Sequence, residues 1–423
     1  MKMRTFGRFA VVLFALACCL QAGAADIKLK QKQAVVNGIN FALNGKKQIA
    51  NVTKNKEPYV GDIVIPEKIE VDGVTLYVEE IESGAFKDCS GVTSISIPNC
   101  ILKIGSSAFE GCSSLAAITI PDKIQELPSN LFKNCTSLTK IVIPETVKKL
   151  SSDIFNGCRS LVEIDLPDGI NEIPSDCFED CTELRNVIIP TGVQSIGSGA
   201  FIRCTSLQTL DIPTGVTKMG DDVFEGCVSL VSIQLPSGLK KVPSDMFKGC
   251  AGLKSVELSN AISEIEHDAF FGCTSLDSIV LNNSISKIGS SAFEGCASLQ
   301  KVTIPNGIKE IASKTFKGCT SLKDIALPNA LQKIGSDAFN GCGSLTSLQL
   351  PIALKEIDGG AFENCNSLMD IYSNSATPVK ISGSSFGKAT MKEGIVHVKK
   401  GFATNYNLDK QWKKFLNIIN MEE

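Results

Sequence analysis

The feature that most limits what this chain can fold into is a phenylalanine that returns every 23 residues. It runs from Phe86 to Phe362, thirteen times without an insertion or deletion. A cysteine stands three residues after each, from Cys89 to Cys365. Lys103 to Pro121, KIGSSAFEGCSSLAAITIP, comes back almost letter for letter at Lys287 to Pro305, KIGSSAFEGCASLQKVTIP. A fixed period of about 20 to 30 residues marks a solenoid, because one coil is too small to bury its apolar face except against its neighbours. A length of 423 residues would otherwise suggest two or three globular domains, but one elongated array accommodates it.

Within a coil the frame runs Leu115, Ile118, Ile120, Pro121, Ile124, Leu127, Phe132, Cys135. Leu-x-x-Ile-x-Ile predicts a short parallel strand with the isoleucines inward and residues 117 and 119 outward. Pro121 has no amide hydrogen and ends the ladder. Ile124 to Leu127 predicts a second extended stretch on the opposite side, and Gly105 to Phe109 a single helical or 3-10 turn. Seven apolar positions per coil should face the interior. Each contributes roughly 1.5–3 kcal/mol when buried. At about 4.8 Å per coil, the thirteen coils make an array roughly 60 Å long.

The ends break the frame. Lys2, Arg4 and Arg8, the apolar run Phe9 to Leu20 and the small residues Ala22-Gly23-Ala24 read as a signal peptide over residues 1–25. An apolar run of about 12 residues is too short for a bilayer that needs roughly 20. Cys18 leaves lipidation as a second route, although Ala15-Leu16-Ala17-Cys18 fits a lipoprotein box only loosely. Residues 26–81 predict an N-terminal cap built on hairpins, with turns at Asn44-Gly45 and Asp72-Gly73. Residues 82–373 form the array of thirteen coils. In the tail, residues 374–423, Phe386 arrives one residue late and predicts a degenerate coil; Ile395, Val396 and Val398 predict one last strand. Trp412, Phe415, Leu416 and Ile419 recur at helical spacing, with Lys410, Lys413 and Lys414 off that stripe, and predict a short amphipathic helix as a lid.

The repeated letters IGSSAF, EGC, SL and I-T-IP, in register over about 290 residues, closely resemble the leucine-rich repeats of the BspA, or Treponema pallidum, type. The departures are local. Ser259, Asn282 and Asn374 replace the strand-ending proline, and Pro128, Pro174 and Pro243 stand where Gly105 does. The tail, with Tyr406 followed by Trp412 and Phe415, also resembles the usual end of such proteins. The resemblance implies a right-handed leucine-rich-repeat solenoid, mostly strand and turn and capped at both ends. It also implies an exported, non-enzymatic bacterial protein of the cell surface or extracellular space, adhesin-like, that binds a protein ligand such as a host extracellular-matrix or cell-surface protein.

Charge is nearly balanced, 42 Lys+Arg against 45 Asp+Glu, so no nucleic-acid partner is expected. No cofactor or metal is expected either: cysteines 23 residues apart offer no short metal-binding pair. Of 17 cysteines, two lie in the leader, and the remaining 15 cannot all pair within one chain. The repeat asks for the same inward rotamer at every level, which predicts buried free thiols. His267 and His397, the only histidines, belong to no recognisable catalytic motif, and the repeated Gly-Ser turn lacks the Lys-Ser/Thr of a phosphate loop. A monomer is expected.

The outward strand residues fall in two columns, Ser94 to Asp370 and Ser96 to Tyr372, at steps of 23. Only Tyr372 is aromatic, so no row of sugar-stacking rings is present. Six acids against two lysines make this face mildly acidic, and Glu163, Asp165, Asp211 and Glu257 gather near its middle. They are the candidate docking patch for a basic protein segment. The competing readings are a plain solvated sheet face, a structural or spacer protein of the envelope with no specific ligand, and, furthest off, an enzyme using unmarked carboxylates.

Overall fold

The computed structural model describes residues 29–422, so the expected signal peptide lies outside the described residues. The 23-residue period becomes the register of a parallel ladder. Ala117–Thr119 pairs with Lys140–Val142, Ile118 opposite Ile141, and on another side of the coil Glu126–Leu127 pairs with Lys149–Leu150. Leu115, Ile118, Ile120, Ile124, Leu127, Phe132 and Cys135 are all buried, as the alternation requires. The chain is a solenoid with one core running its whole length.

The phenylalanines form the spine of that core. From Phe86 to Phe362 each ring is fully buried, and successive rings stack with centroids 5.1–5.9 Å apart. This is the spacing of offset aromatic pairs. Tyr59 continues the stack beyond Phe86 at 4.8 Å, and Phe386 beyond Phe362 at 5.2 Å.

The segment around each phenylalanine is not the helical turn that its cap residues predict. Ser107 (φ 57°) and Gly111 (φ 74°), two residues on either side of Phe109, are left-handed. Alternate amides then point in different directions. Ala108 and Glu110 donate within the coil, to the carbonyls of Gly105 and Ser107, whereas Ser107, Phe109 and Gly111 donate to Ser129, Leu131 and Lys133 of the next coil. A helix would turn every amide inward and leave the next coil's carbonyls unmet. Most of these left-handed positions hold Asn, Asp or Gly, the residues that tolerate the conformation. Gly105 has a different reason: a Cβ there would lie under 3 Å from the backbone of Ser83 in the preceding coil.

Hairpins open the solenoid. Asn37-Gly38 and Asp72-Gly73, all with positive φ, make two-residue turns, the first joining Gln33–Val36 to Ile39–Asn44 and the second Lys68–Val71 to Val74–Ile81. The chain turns after Asn44 into Ile49–Val52, which pairs in parallel with Val74–Ile81, and that strand leads into Lys103–Ile104. Val60–Val64 is the first rung of the other ladder.

At the C-terminus the expected amphipathic helix is replaced by other structure. Within the stretch from Lys410 to Ile419 only Trp412–Lys414 is helical, as a 3-10 turn that follows the short helices Lys388–Glu393 and Ala403–Leu408, and Asn417–Asn420 is a strand parallel to Ile395–Val398. Ile395–Val398 is therefore not the last strand; without Asn417–Asn420 its outer amides and carbonyls would be an open sheet edge, and Ile418 and Ile419 are β-branched. Leu416 and Ile419 are exposed, whereas Tyr406, Trp412 and Phe415 close over Phe386.

Candidate interaction face

Two sides of the solenoid carry charge in different ways. On the short second strands most of the acids are paired, although among the described residues Glu172 and Glu310 are not. Glu80, Glu126, Glu264 and Glu356 each form an ion pair with the lysine one coil on: Lys103, Lys149, Lys287 and Lys380. The other strand ladder does not do this. Glu163 and Asp165 flank the buried Ile164 and point to solvent, and Asp211 and Glu257 are likewise exposed. Among the described residues none of these four carboxylates has an ion-pair or side-chain hydrogen-bond partner.

The ladder on this face is not continuous, contrary to what the uniform frame leads one to expect. Ser278–Val280 keeps only an isolated bridge from Ser278 to Lys301, and Thr209–Asp211, between the pairs Glu163–Asp165 with Asn186–Ile188 and Ser232–Gln234 with Ser255–Glu257, forms no strand. At this interruption lies a shallow groove of about 500 Å³, lined by Thr209, Asp211, Ser232, Gln234, Ser255 and Glu257. It brings Asp211 and Glu257 together around Gln234. Glu163 and Asp165 stand further along the same face, outside the groove's lining.

Charge alone misses part of the surface. Val142, Ile188 and Val280 occupy outward positions of the second column and are 47%, 54% and 82% exposed. The available signal was their β-branched apolar type at positions whose neighbours are polar.

The histidines are engaged elsewhere. His397 Nε2 lies 2.8 Å from Asp370, and its ring stacks on Tyr372 at 4.4 Å, so Asp370 is the acid of the face that has a partner. His267 Nδ1 is 3.2 Å from Asp268 and 3.6 Å from Asp245. Asp245, His267 and Asp268 offer ligand atoms within 4.8 Å of one another, but Lys248 already sits 2.9 Å from Asp245. The column cysteines are free and buried, and burial pushes their thiols well above the usual range. Such thiols are poor nucleophiles and poor metal ligands.

A stack of 23-residue coils with short parallel strands on two sides, one of which opens two side-chain columns to solvent, is a leucine-rich-repeat solenoid. The model of the BspA type leucine rich repeat region (6 copies) matches in overlapping windows from residue 79 to 399, and the chain belongs to this family. The crystal structure of a leucine-rich repeat protein from Bacteroides ovatus is 28% identical, with a TM-score of 0.80, covering 92% of this chain and all of that one. A leucine rich cell surface protein from Faecalibacterium prausnitzii is 27% identical, with a TM-score of 0.56 over 83% of this chain and 95% of its own. The pneumococcal vaccine antigen PcpA, 19% identical with a TM-score of 0.50 over 94% of this chain and 100% of its own, shares the fold. None of the curated proteins matches.

Proposed function

We propose that this chain is an exported, non-enzymatic binding protein of the bacterial surface whose strand face docks a basic segment of a protein ligand. The observation that carries this reading is the contrast, among the described residues, between the two ladders: on one, Glu80, Glu126, Glu264 and Glu356 are paired with lysines and only Glu172 and Glu310 are not, while on the other Glu163, Asp165, Asp211 and Glu257 are all unpaired and two of them line a groove. Unpaired acids around a groove raise the encounter rate with a cationic partner and make it salt-sensitive. Likeness to a Faecalibacterium cell-surface protein supports the location. Among the described residues no helix is long and apolar enough to cross a membrane, which leaves anchoring to the leader or to another component.

The test begins with a protein retained by the wild type from host-matrix or envelope extract. Its affinity, once it is purified, is measured against two charge-matched variants. The first reverses Glu163, Asp165, Asp211 and Glu257 to lysine; the second reverses Glu110, Glu225, Glu294 and Glu363 on the turn side. Both are checked for an unchanged circular-dichroism spectrum. Loss confined to the first supports the strand face. Equal loss in both means net charge alone, and loss confined to the second moves the site to the turns.

A further inference from the structure

We propose that the segment docked on the strand face is a basic amphipathic α-helix lying along the solenoid axis, an inference that rests on that face being the docking surface. From Val142 to Val280 the second column alternates coil by coil. Asp165, Asp211 and Glu257 hold every second coil; Val142, Ile188 and Val280 hold three of the four others, with Gln234 at the fourth. The three apolar side chains are largely exposed and take no part in the core. Beside the C-terminal half of this stretch the first column is short, Thr209, Ser232, Ser255 and Ser278, and the first three line the shallow groove; Lys140, Glu163 and Asn186 stand beside the other half.

The repeat distances select the occupant. On this face the coils are joined as hydrogen-bonded parallel strands and advance by about 4.8 Å each. An α-helix advances about 5.4 Å per turn and about 10.5 Å per seven residues. One helical turn therefore falls within about 0.6 Å of each coil, and seven residues within about 1 Å of one apolar–acidic alternation, a misfit that long side chains take up. An extended strand repeats one face about every 6.6–6.8 Å and drifts out of phase within two or three coils. The complementary helix carries an apolar residue, Lys or Arg one turn on, then an apolar residue again. The six steps from Val142 to Val280 come to roughly 29 Å, a helix of about 19 residues. The basic sign follows from the unpaired carboxylates. Leu, Lys and Arg, the residues such a stripe needs, are also strong helix formers.

The experiment uses the full chain and three labelled peptides of about 19 residues, the helix length that spans the column, with equal net charge. In the first, Leu and Lys alternate turn by turn along one stripe. In the second the same residues are scrambled. The third carries the stripe with two central prolines that forbid a helix. Fluorescence anisotropy at physiological salt should show the striped peptide binding at least about ten-fold tighter than the other two. The exchange variant Ile188→Asp/Asp211→Ile keeps composition and net charge while breaking the alternation, and should lose about ten-fold for the striped peptide alone. Equal binding of all three peptides, or preference for the proline peptide, overturns the helix while leaving an acidic docking face in place. Failure of every peptide to bind, or binding that survives reversal of Glu163, Asp165, Asp211 and Glu257, removes the docking face together with the helix.

Discussion

The thiol of Cys227 donates a hydrogen bond to the carbonyl oxygen of Phe201, 3.1 Å away in the preceding coil. The same oxygen accepts the amide of Cys204, also at 3.1 Å, so one carbonyl ties its own turn to the next coil. The contact recurs along the column, from Cys112 on Phe86 to Cys365 on Phe339. This accounts for cysteine at a site where alanine or valine would also fit: it is a small apolar side chain with one weak donor, and the repeat offers an acceptor at that spot.

Alkaline pH should therefore loosen the array. Burial pushes the Cys227 thiol up from 9.0 to about 12. As pH rises the unfolded chain loses this proton first, so the contribution is whole below pH 9 and disappears between 9 and 12. The urea midpoint should fall across that window, and Cys227→Ala should make the fall shallower. Native protein should react with few equivalents of a thiol reagent, and unfolded, unreduced protein with nearly all. A column joined by disulfides would show almost no free thiol after unfolding.

Phe224 lies between Phe201 and Phe247, at 5.7 and 5.6 Å, with no exposed surface. Phe224→Ala should cost about 3–5 kcal/mol by leaving a cavity. Because each coil touches only its neighbours, the loss should be local. Hydrogen exchange should rise near Phe201 and Phe247 and stay unchanged near Phe109. A loss below about 1 kcal/mol in denaturant melts would mean that the stack contributes little.

How much could be read from the letters follows from the same locality. Phe, Cys, Leu and Ile at fixed steps determine burial directly, since a solenoid turns sequence period into spatial register, and Asp72-Gly73 specifies its own turn. Two readings failed because they treated a local pattern as self-sufficient. Gly105 to Phe109 has helix-cap letters, but its amides are claimed by the next coil. Trp412, Phe415, Leu416 and Ile419 have helical spacing, but the open edge of Ile395–Val398 takes Asn417–Asn420 as a strand. The acids of the candidate face were legible as outward positions. The breaks in the ladder at Thr209–Asp211 and Ser278–Val280 were not, and nothing in the structure explains why those coils depart from the rest.

Asp222 offers a stabilising change with a defined pH signature. Burial, then the charges of Asp245 and Glu225, raise its carboxyl from 3.8 to about 6. The folded state holds this proton more tightly than the unfolded chain. Its stabilising effect is complete below pH 3.8 and gone once pH passes 6. Asp222→Asn removes the repulsion, and asparagine tolerates the local φ of 59°. The variant should have a higher urea midpoint at pH 7, with the advantage shrinking to nothing below about pH 4. A gain that persists at pH 3.5, or no gain at pH 7, would mean that the acids are screened from one another.

The C-terminal closure should set where the solenoid begins to unravel. Trp412 is fully buried, its Nε1–H donates to the Val379 carbonyl at 2.7 Å, and its ring packs against Tyr406 and Phe415 at 5.3 Å and Phe386 at 5.9 Å. Trp412→Phe keeps most of the bulk but leaves that carbonyl unpaired, and should cost about 1–3 kcal/mol. Trp412→Ala should cost about 3–5 kcal/mol. In both, hydrogen exchange should accelerate around Phe362 and Phe386 and remain slow around Phe109 and Phe132, because coupling between distant coils passes through every coil between them. Deleting residues 401–423 goes further. It removes the strand Asn417–Asn420 as well as the aromatic lid, exposing the edge of Ile395–Val398 and the last ring of the stack. An open parallel edge beside an uncovered apolar end is a template for other chains. The truncated protein should elute as higher oligomers in size-exclusion chromatography at micromolar concentration. If it stays monomeric and melts like the full chain, the segment does not close the core, and its aromatic residues serve attachment or a partner instead.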